Sequence, residues 1–541
     1  MFGTAVRADR CAPGSRALGG DGAAVVAHHE QAFLGGDARL ELDLDPGVVV
    51  VGVEQADAVV GPPPVDRVGV LAALGGRGIG HLLAFSDTNR YKIDDRRAFG
   101  IELTTGLKRP ATYRIDVTLD PVHYEGITRL AERIRYDVET SDHRDVAETV
   151  WAEFLDPLAR DGKRVLEPLD EQRRLVADVE DVALADTEYD TVHGLDAGTI
   201  NPTTFSNGLV LDIAQAAMSA TPSDLDLHRA RTVVMTVHSA DATVAFDEDD
   251  WTMNDEGFVR TQIRQAPRVN RFAEGVVHAL SLYRAESEHA RINADVVDDL
   301  LCLDGPIYPT GLLRWADQHP ELATVLEEEE QPKEVVENYV RLVETFVEKA
   351  VPLVGFVKNP AGNAITRVVR DSFGQAPWVD DAAMFKRLLE RGEMVDDPDD
   401  AEGRRRFERD TSALTATSWF VSRGGTDAVP SRHGDVLGVD RRLDPEAYEV
   451  TFCVIYDPRT DVLYRLEAPY AVTRSASQRD ALQQWALSAV AAERGPPLAV
   501  GKADELAKIG GREKASLRET LEETFRSRRA RQYDDVRWGD E

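Results

Sequence analysis

The stretch that most limits how this chain can fold is Leu300-Leu-Cys-Leu303, four apolar residues closed at once by Asp304-Gly-Pro306. A run so short and so uniformly apolar suits a central strand buried on both faces better than a helix. Gly305-Pro306 turns the chain directly after it. Asp304 is thereby left at a strand tip, on a rigid element that still reaches solvent, which is what a metal site requires. A second tip of the same kind is Asp196, in Thr191-Val-His-Gly-Leu-Asp-Ala-Gly-Thr199. A third apolar run, Val351-Pro-Leu-Val-Gly-Phe-Val357, ends on Lys358. Ahead of Asp304 comes an acidic helix, Leu282-Tyr-Arg-Ala-Glu-Ser-Glu-His289.

Several carboxylates that converge on a divalent cation are the usual means of hydrolysing a phosphodiester. Oxygen ligands select hard ions such as Mn²⁺ and Mg²⁺. Asp196, Asp304 and a helix glutamate would supply such a set. Spacing alone is weak support, because an acidic chain has many Asp–Gly turns and most are only turns. Glu286 and Glu288 stand two apart and cannot share a helix face. Glu286 is the preferred ligand, aligned by helical spacing with Tyr283 and Ala290. Lys358 reads either as a cation for the transition-state phosphate or as a solvated strand end. His193 and His289 read as structural or solvent-facing rather than as ligands.

Charge narrows the setting. The 541 residues carry 63 Lys and Arg against 96 Asp and Glu, a net of −33, and only ten of the cations are lysine. An acidic, lysine-poor surface suits a halophilic, salt-accumulating cell, where screening is nearly complete. Acidity of this kind argues only weakly against a nucleic-acid partner, since a site can still be locally basic. No apolar run approaches the roughly 20 residues needed to span a bilayer, and no signal-peptide pattern is present. A cytoplasmic protein is expected. Three cysteines, Cys11, Cys302 and Cys453, make no framework of bridges. Cys302 and Cys453 lie in apolar strand-like runs and are expected in the core.

Residues 1–115 differ from the rest. They hold 13 basic and 14 acidic residues and 17 of the 40 glycines. A Gly/Val-rich β domain, a flexible extension, and sequence that is not native coding, with a start at Val117, are three readings of this segment. It is expected to be dispensable. Residues 116–187 are expected to be helical, with helices from Pro121 to Tyr136, Asp142 to Leu158 and Pro168 to Leu184. Residues 188–512 form the main domain. Strands are expected at Val192–Asp196, Leu209–Ile213 and Thr232–Phe246, then a long or broken helix from Phe258 to Ile292. The Asp304 strand follows, then a helix from Pro332 to Ala350 and the Lys358 strand. A helix at Val379–Leu389, an acidic loop from Glu393 to Asp410, and a hairpin of Tyr448–Tyr456 with Val462–Ala468 come next. Late helices run from Arg474 to Arg494 and Lys514 to Arg529, and residues 513–541 form a C-terminal helix and tail. Arg526-Ser-Arg-Arg-Ala-Arg531 is the densest basic cluster. Together these elements predict a mixed α/β sheet.

The order Gly194-Leu-Asp-Ala-Gly-Thr199, Glu286, Leu303-Asp-Gly-Pro306, Val354-Gly-Phe-Val-Lys358, Trp378-Val-Asp-Asp381 and Tyr464-Arg-Leu-Glu-Ala-Pro469 resembles the NurA nuclease family. The resemblance covers roughly residues 185–512. It implies an RNase H-like mixed sheet flanked by helices and manganese-dependent action on DNA. The implied activities are 5′-to-3′ exonuclease and single-strand endonuclease in double-strand-break end resection. The implied partners are a second copy of the chain, as a homodimer, and a HerA-type hexameric ATPase. Carried over by motif, Asp196 and Asp304 match the two strand aspartates, Glu286 the helix glutamate, and Arg465 and Glu467 an Arg-x-Glu-x-Pro strand. Asp380 falls in a further motif. Two departures stand out. Asp196-Ala-Gly replaces the common Asp-Gly-Ser, and Lys502 stands where the family often has a histidine. Lysine cannot serve as a neutral imidazole ligand, and Asp504 is the candidate substitute. A non-catalytic, DNA-guiding adaptor of the same fold, docked on the ATPase, is the alternative.

Overall fold

The computed structural model describes residues 51–52, 101–102, 121–131, 133, 140–241, 250–374, 376–396 and 405–531. The chain divides into two units, residues 1–135 and 136–541. In the first, Val51–Gly52 pairs antiparallel with Ile101–Glu102, and helix α1 spans Pro121–Ala131. Most of the atypical segment, with Cys11, lies outside the described residues, as do 242–249.

The second unit is built on a 15-stranded mixed sheet flanked by helices. Helix α2 (Thr140–Phe154) precedes strands β1 (Leu158–Arg160), β2 (Lys163–Pro168) and β3 (Arg174–Asp178). Then come β4 (Val192–Thr199), β5 (Leu209–Thr221), β6 (Arg231–Ser239), β7 (Val259–Gln265) and helix α3 (Ala273–Ile292). Strand β8 (Leu300–Leu303), helix α4 (Glu330–Lys349) and strand β9 (Leu353–Val357) follow. Helix α5 (Asp381–Leu389), strands β10 (Ala413–Thr417), β11 (Phe420–Ser422), β12 (Val450–Asp457) and β13 (Val462–Pro469) come next. Helices α6 (Ala476–Glu493), α7 (Leu498–Ala507) and α8 (Gly511–Phe525) close the unit.

Across the sheet the order is β7-β6-β5-β4-β8-β9-β13-β12-β11-β2-β1, with the short strands Thr252–Met253 outside β7 and Thr203–Thr204 on β5, and β10 bridging β12 and β3. The centre, β4-β8-β9, is parallel. Its middle strand explains the apolar run. Leu301 and Leu303 pack on one side with α3 and α4, in a cluster that includes Val276, Leu280 and Tyr339. Leu300 and Cys302 pack on the other with Leu482 and Ala486 of α6 and Val500 of α7. A strand covered on both faces has no polar side to show.

Three expectations are corrected. Residues 168–184 are not one helix: β3 is followed by a five-residue helix, Val179–Ala183, capped by Asp178. Leu175, Val179 and Val182 fit a helical stripe. However, Leu175 and Ala177 also alternate with exposed Val176, and the ladder to β10 selects the strand. Residues 158–178 therefore extend the sheet and are not helical. Val259–Gln265 is likewise strand, because β7 finds a parallel partner in β6; the helix begins only at Ala273. The acidic stretch after Glu390 holds a hairpin, Gly392–Asp396 with Arg405–Arg409. Among the described residues no helix is long and apolar enough to cross a membrane.

Candidate metal centre

Register brings the two strand aspartates together. Leu303 of β8 lies opposite Leu195 of β4, and the Asp304 N–H donates to the Leu195 carbonyl at 2.8 Å. Asp196 and Asp304 are the next residues on adjacent strands, about 5 Å apart across the sheet. On the other side Gly355 of β9 lies opposite Leu303, so Lys358 leaves the sheet at the same end. Its Nζ donates to Asp304 Oδ2 at 2.6 Å.

Two glycines then admit a helix. A Cβ on Gly194 would stand 2.2 Å from the Ala499 carbonyl oxygen, and one on Gly198 2.4 Å from that of Ala507. Only a strand without side chains at these positions lets α7 lie on it so closely. The same helix ends are pinned from β5: Ser219 Oγ donates to Ala499 O at 2.5 Å and Gln215 Nε2 to Ala507 O at 3.0 Å. Asp504, between them, is laid over Asp196. One oxygen each from Asp196, Asp304 and Asp504 lie within 4.8 Å of one another. Gly198 of the Asp-Ala-Gly departure is thus what makes room for α7.

Glu286 comes from α3, on the opposite face of the sheet. It is not among the three grouped carboxylates. Tyr339 Oη donates to its Oε1 at 2.6 Å. Desolvation, together with the nearby charges of Asp196 and Asp304, pushes it up to about 8 against the pull of Tyr339. Burial first, then Asp304 and Asp504, push Asp196 up to about 7. Asp304 is raised by burial, with Lys358 opposing. The Lys358 ammonium is held above its ordinary value although burial works against it, because Asp304 accepts its proton bond. Glu288, by contrast, meets Arg260 and Arg291 at 3.5 Å each and accepts from Asn338 Nδ2 at 3.1 Å. Glu286 therefore has a neutral donor and two acidic charges nearby, whereas Glu288 lies in an ion-pair network.

The remaining sequence candidates divide. Glu467 Oε2 accepts from the Ile307 N–H at 3.2 Å, in the turn just after Asp304. Burial, with Arg465 opposing, pushes it up to about 7. Arg465 pairs with Glu467 at 2.9 Å and with Asp427 at 2.8 Å, over the Phe452 ring. This pair props the turn beneath Asp304. Gly355 completes the seat: a Cβ there would stand 2.5 Å from the Gly305 carbonyl oxygen, and Gly305 itself has φ +137. Asp380 is not brought to the cluster; its side chain caps α5 at the Ala383 N–H, 2.7 Å away. Lys502 also points elsewhere, to Thr221 Oγ1 at 3.3 Å and Ser223 Oγ at 3.4 Å. His193 is buried, and His289 is buried with Nδ1 3.0 Å from Thr232 Oγ1, as structural residues would be. Tyr339 and Asp427 escaped the sequence reading, since neither lies in a motif and only tertiary contact joins them to Glu286 and Arg465. The donor set fits the implied metal: every available atom is a carboxylate oxygen, the choice of hard divalent ions.

A family profile described as the NurA domain matches residues 190–509. The chain belongs to the NurA family. The match begins just before β4 and ends after α7, so it takes in every element that carries the carboxylates. Among solved structures, the NurA nuclease from Sulfolobus solfataricus is 10% identical, with 75% of this chain and 98% of that one covered and a TM-score of 0.39. A NurA with manganese gives 10%, 74%, 97% and 0.34. A NurA bound to dAMP and manganese gives 9%, 76%, 99% and 0.36. No curated protein matches.

Proposed function

We propose that this NurA-family chain is a metal-dependent DNA nuclease. The observation that carries the reading is the grouping of Asp196, Asp304 and Asp504 within 4.8 Å, with one lysine beside them. A divalent ion held there would polarise the scissile phosphate and lower the pKa of an attacking water. Asp196 and Asp304 would hold it from the strand ends and Asp504 from the helix. Glu286 would join the set by turning from Tyr339. The Lys358 ammonium, anchored on Asp304, faces the charge that develops on the phosphate oxygens. Glu467 and Arg465 position the Asp304 turn without touching substrate.

Mn²⁺ is the first cation to test and Mg²⁺ the second. The fuller reading is an enzyme of double-strand-break end resection in a salt-rich cytoplasm. It would combine 5′-to-3′ exonuclease and single-strand endonuclease action, as a homodimer on a HerA-type ATPase. Cleavage of end-labelled DNA by the full chain at molar salt, with and without Mn²⁺, tests the core of this. The adaptor reading takes its place if no condition yields cleavage while DNA binding persists. Co-purification of a hexameric ATPase from extract at molar salt tests the partner, and its absence counts against that part alone.

A further inference from the structure

The α7 face of the sheet continues past the carboxylates to an unneutralised cation. Asp196 lies opposite Ala217 of β5. Arg231 opens β6 one residue before Thr232, the partner of Ala216. Asp196, Ala217 and Arg231 thus form one row on one face, two inter-strand steps or about 10 Å long. Beside the row is a cavity of about 460 Å³ whose polar lining includes Arg231, Gln215, Lys508 and Glu513.

Several buried or half-buried arginines of this acidic chain have carboxylate partners: Arg284 has Glu334, Arg423 has Glu449, Arg459 has Asp457 and Arg465 has Asp427. Arg231 has none among the described residues. One of its terminal nitrogens donates to the His228 and Ala230 carbonyls at 2.8 and 2.7 Å. Lys508 follows Asp504 by one helical turn and among the described residues pairs with exposed Glu505, at 3.4 Å. Glu513, the acid of the cavity, is turned to the Gly510 N–H at 2.8 Å. A half-buried guanidinium without a counter-charge is costly unless an anion joins it, and its planar fork suits phosphate. A strand carries one charge per about 3.4 Å of helix axis, so a phosphate about one to three nucleotides from the scissile one falls at this distance.

We infer that the Arg231–Lys508 cavity holds a non-scissile backbone phosphate of the DNA strand and so sets where the strand is cut. This rests on the nuclease reading above.

The test uses the full chain, single-stranded oligonucleotides carrying one neutral methylphosphonate linkage at a walked position, and the variants Arg231→Gln, Arg231→Lys and Lys508→Gln. Arg231→Gln should raise KM about tenfold and leave kcat within about twofold. Lys508→Gln should do the same more weakly, and Arg231→Lys should restore part of the loss. Each neutral variant should lower the salt slope of strand binding by about 0.7. One methylphosphonate position, offset from the cut, should weaken binding to the unaltered protein and not to Arg231→Gln. Equal sensitivity of both proteins at every position, or unchanged KM and salt slope, overturns the inference. Lys508→Gln carries the same readouts if Arg231→Gln fails to fold by its thermal transition. If the unaltered protein cuts nothing, the nuclease reading fails by itself. Strand affinity by fluorescence anisotropy then decides the subsite, and equal affinity of variant and unaltered protein overturns it.

Discussion

Glu286 and Glu288 are two residues apart on α3, and the fold treats them oppositely. Glu288 is buried and neutralised by Arg260 and Arg291, with Asn338 donating to it. Glu286 has one neutral donor, Tyr339, and feels two further carboxylates. A carboxylate that the fold neutralises belongs to the framework. Carboxylates gathered without enough cations hold repulsion that a metal relieves. In this chain Lys358 is the only cation paired with the cluster among the described residues, and its ion pair is with Asp304.

The sharpest way to break this comparison is to remove charge from the cluster itself. Asp196→Asn and Asp304→Asn should each lower Mn²⁺-dependent cleavage by about two orders of magnitude or more, some 3 kcal/mol of transition-state stabilisation. Initial rates on labelled DNA measure it, and a wild-type rate in both variants would move the site elsewhere. The two helix glutamates come next. Glu286→Gln should lose about tenfold or more in rate and keep its fold. Glu288→Gln should keep its rate and lose about 1–3 kcal/mol of stability, because Arg260 is left without its partner. Chemical denaturation beside the rate assay checks the pair, and a reversed pattern would exchange their roles.

A smaller effect concerns the metal-free protein. Asp196→Asn should raise its thermal transition, since Asp196 contributes repulsion and has no cation of its own. Asp304→Asn should raise it less, because it also gives up Lys358. Mn²⁺ at a hundred times its Kd should stabilise the unaltered chain by about 2.7 kcal/mol and Asp196→Asn by much less. A calorimetric scan with and without the ion decides it. The smallest change is expected at Lys502→Ala, within about twofold in cleavage rate. Its ammonium faces Thr221 and Ser223 and not the carboxylates. A large loss there would restore the family's histidine position to the site.

Legibility in the sequence followed the strength of local signals. The apolar run before Asp304 and the run before Lys358 read correctly because strands buried on both faces have one composition. The α4 helix read correctly because its apolar stripe is long. Residues 168–184 and 258–265 did not, since a short stripe satisfies both periods and only a pairing partner chooses. Of the site, the two strand tips were legible and Asp504 was visible as a substitute. Asp380 was misplaced, because an aspartate before a helix looks the same whether it caps that helix or serves a ligand.

By itself the sequence determined the strand tips, the family, and the stock of oxygen donors, because each is written in a few neighbouring residues. Only the tertiary structure decided which acids go uncompensated. The surroundings of each acid are set by parts far away in the chain: Arg260 neutralises Glu288, the neutral Tyr339 meets Glu286, Asp427 pairs with Arg465, and α7, seated on the glycines of β4, brings in Asp504. Charges interact through space over a few ångströms, and no local pattern records which distant side chain will stand within that range.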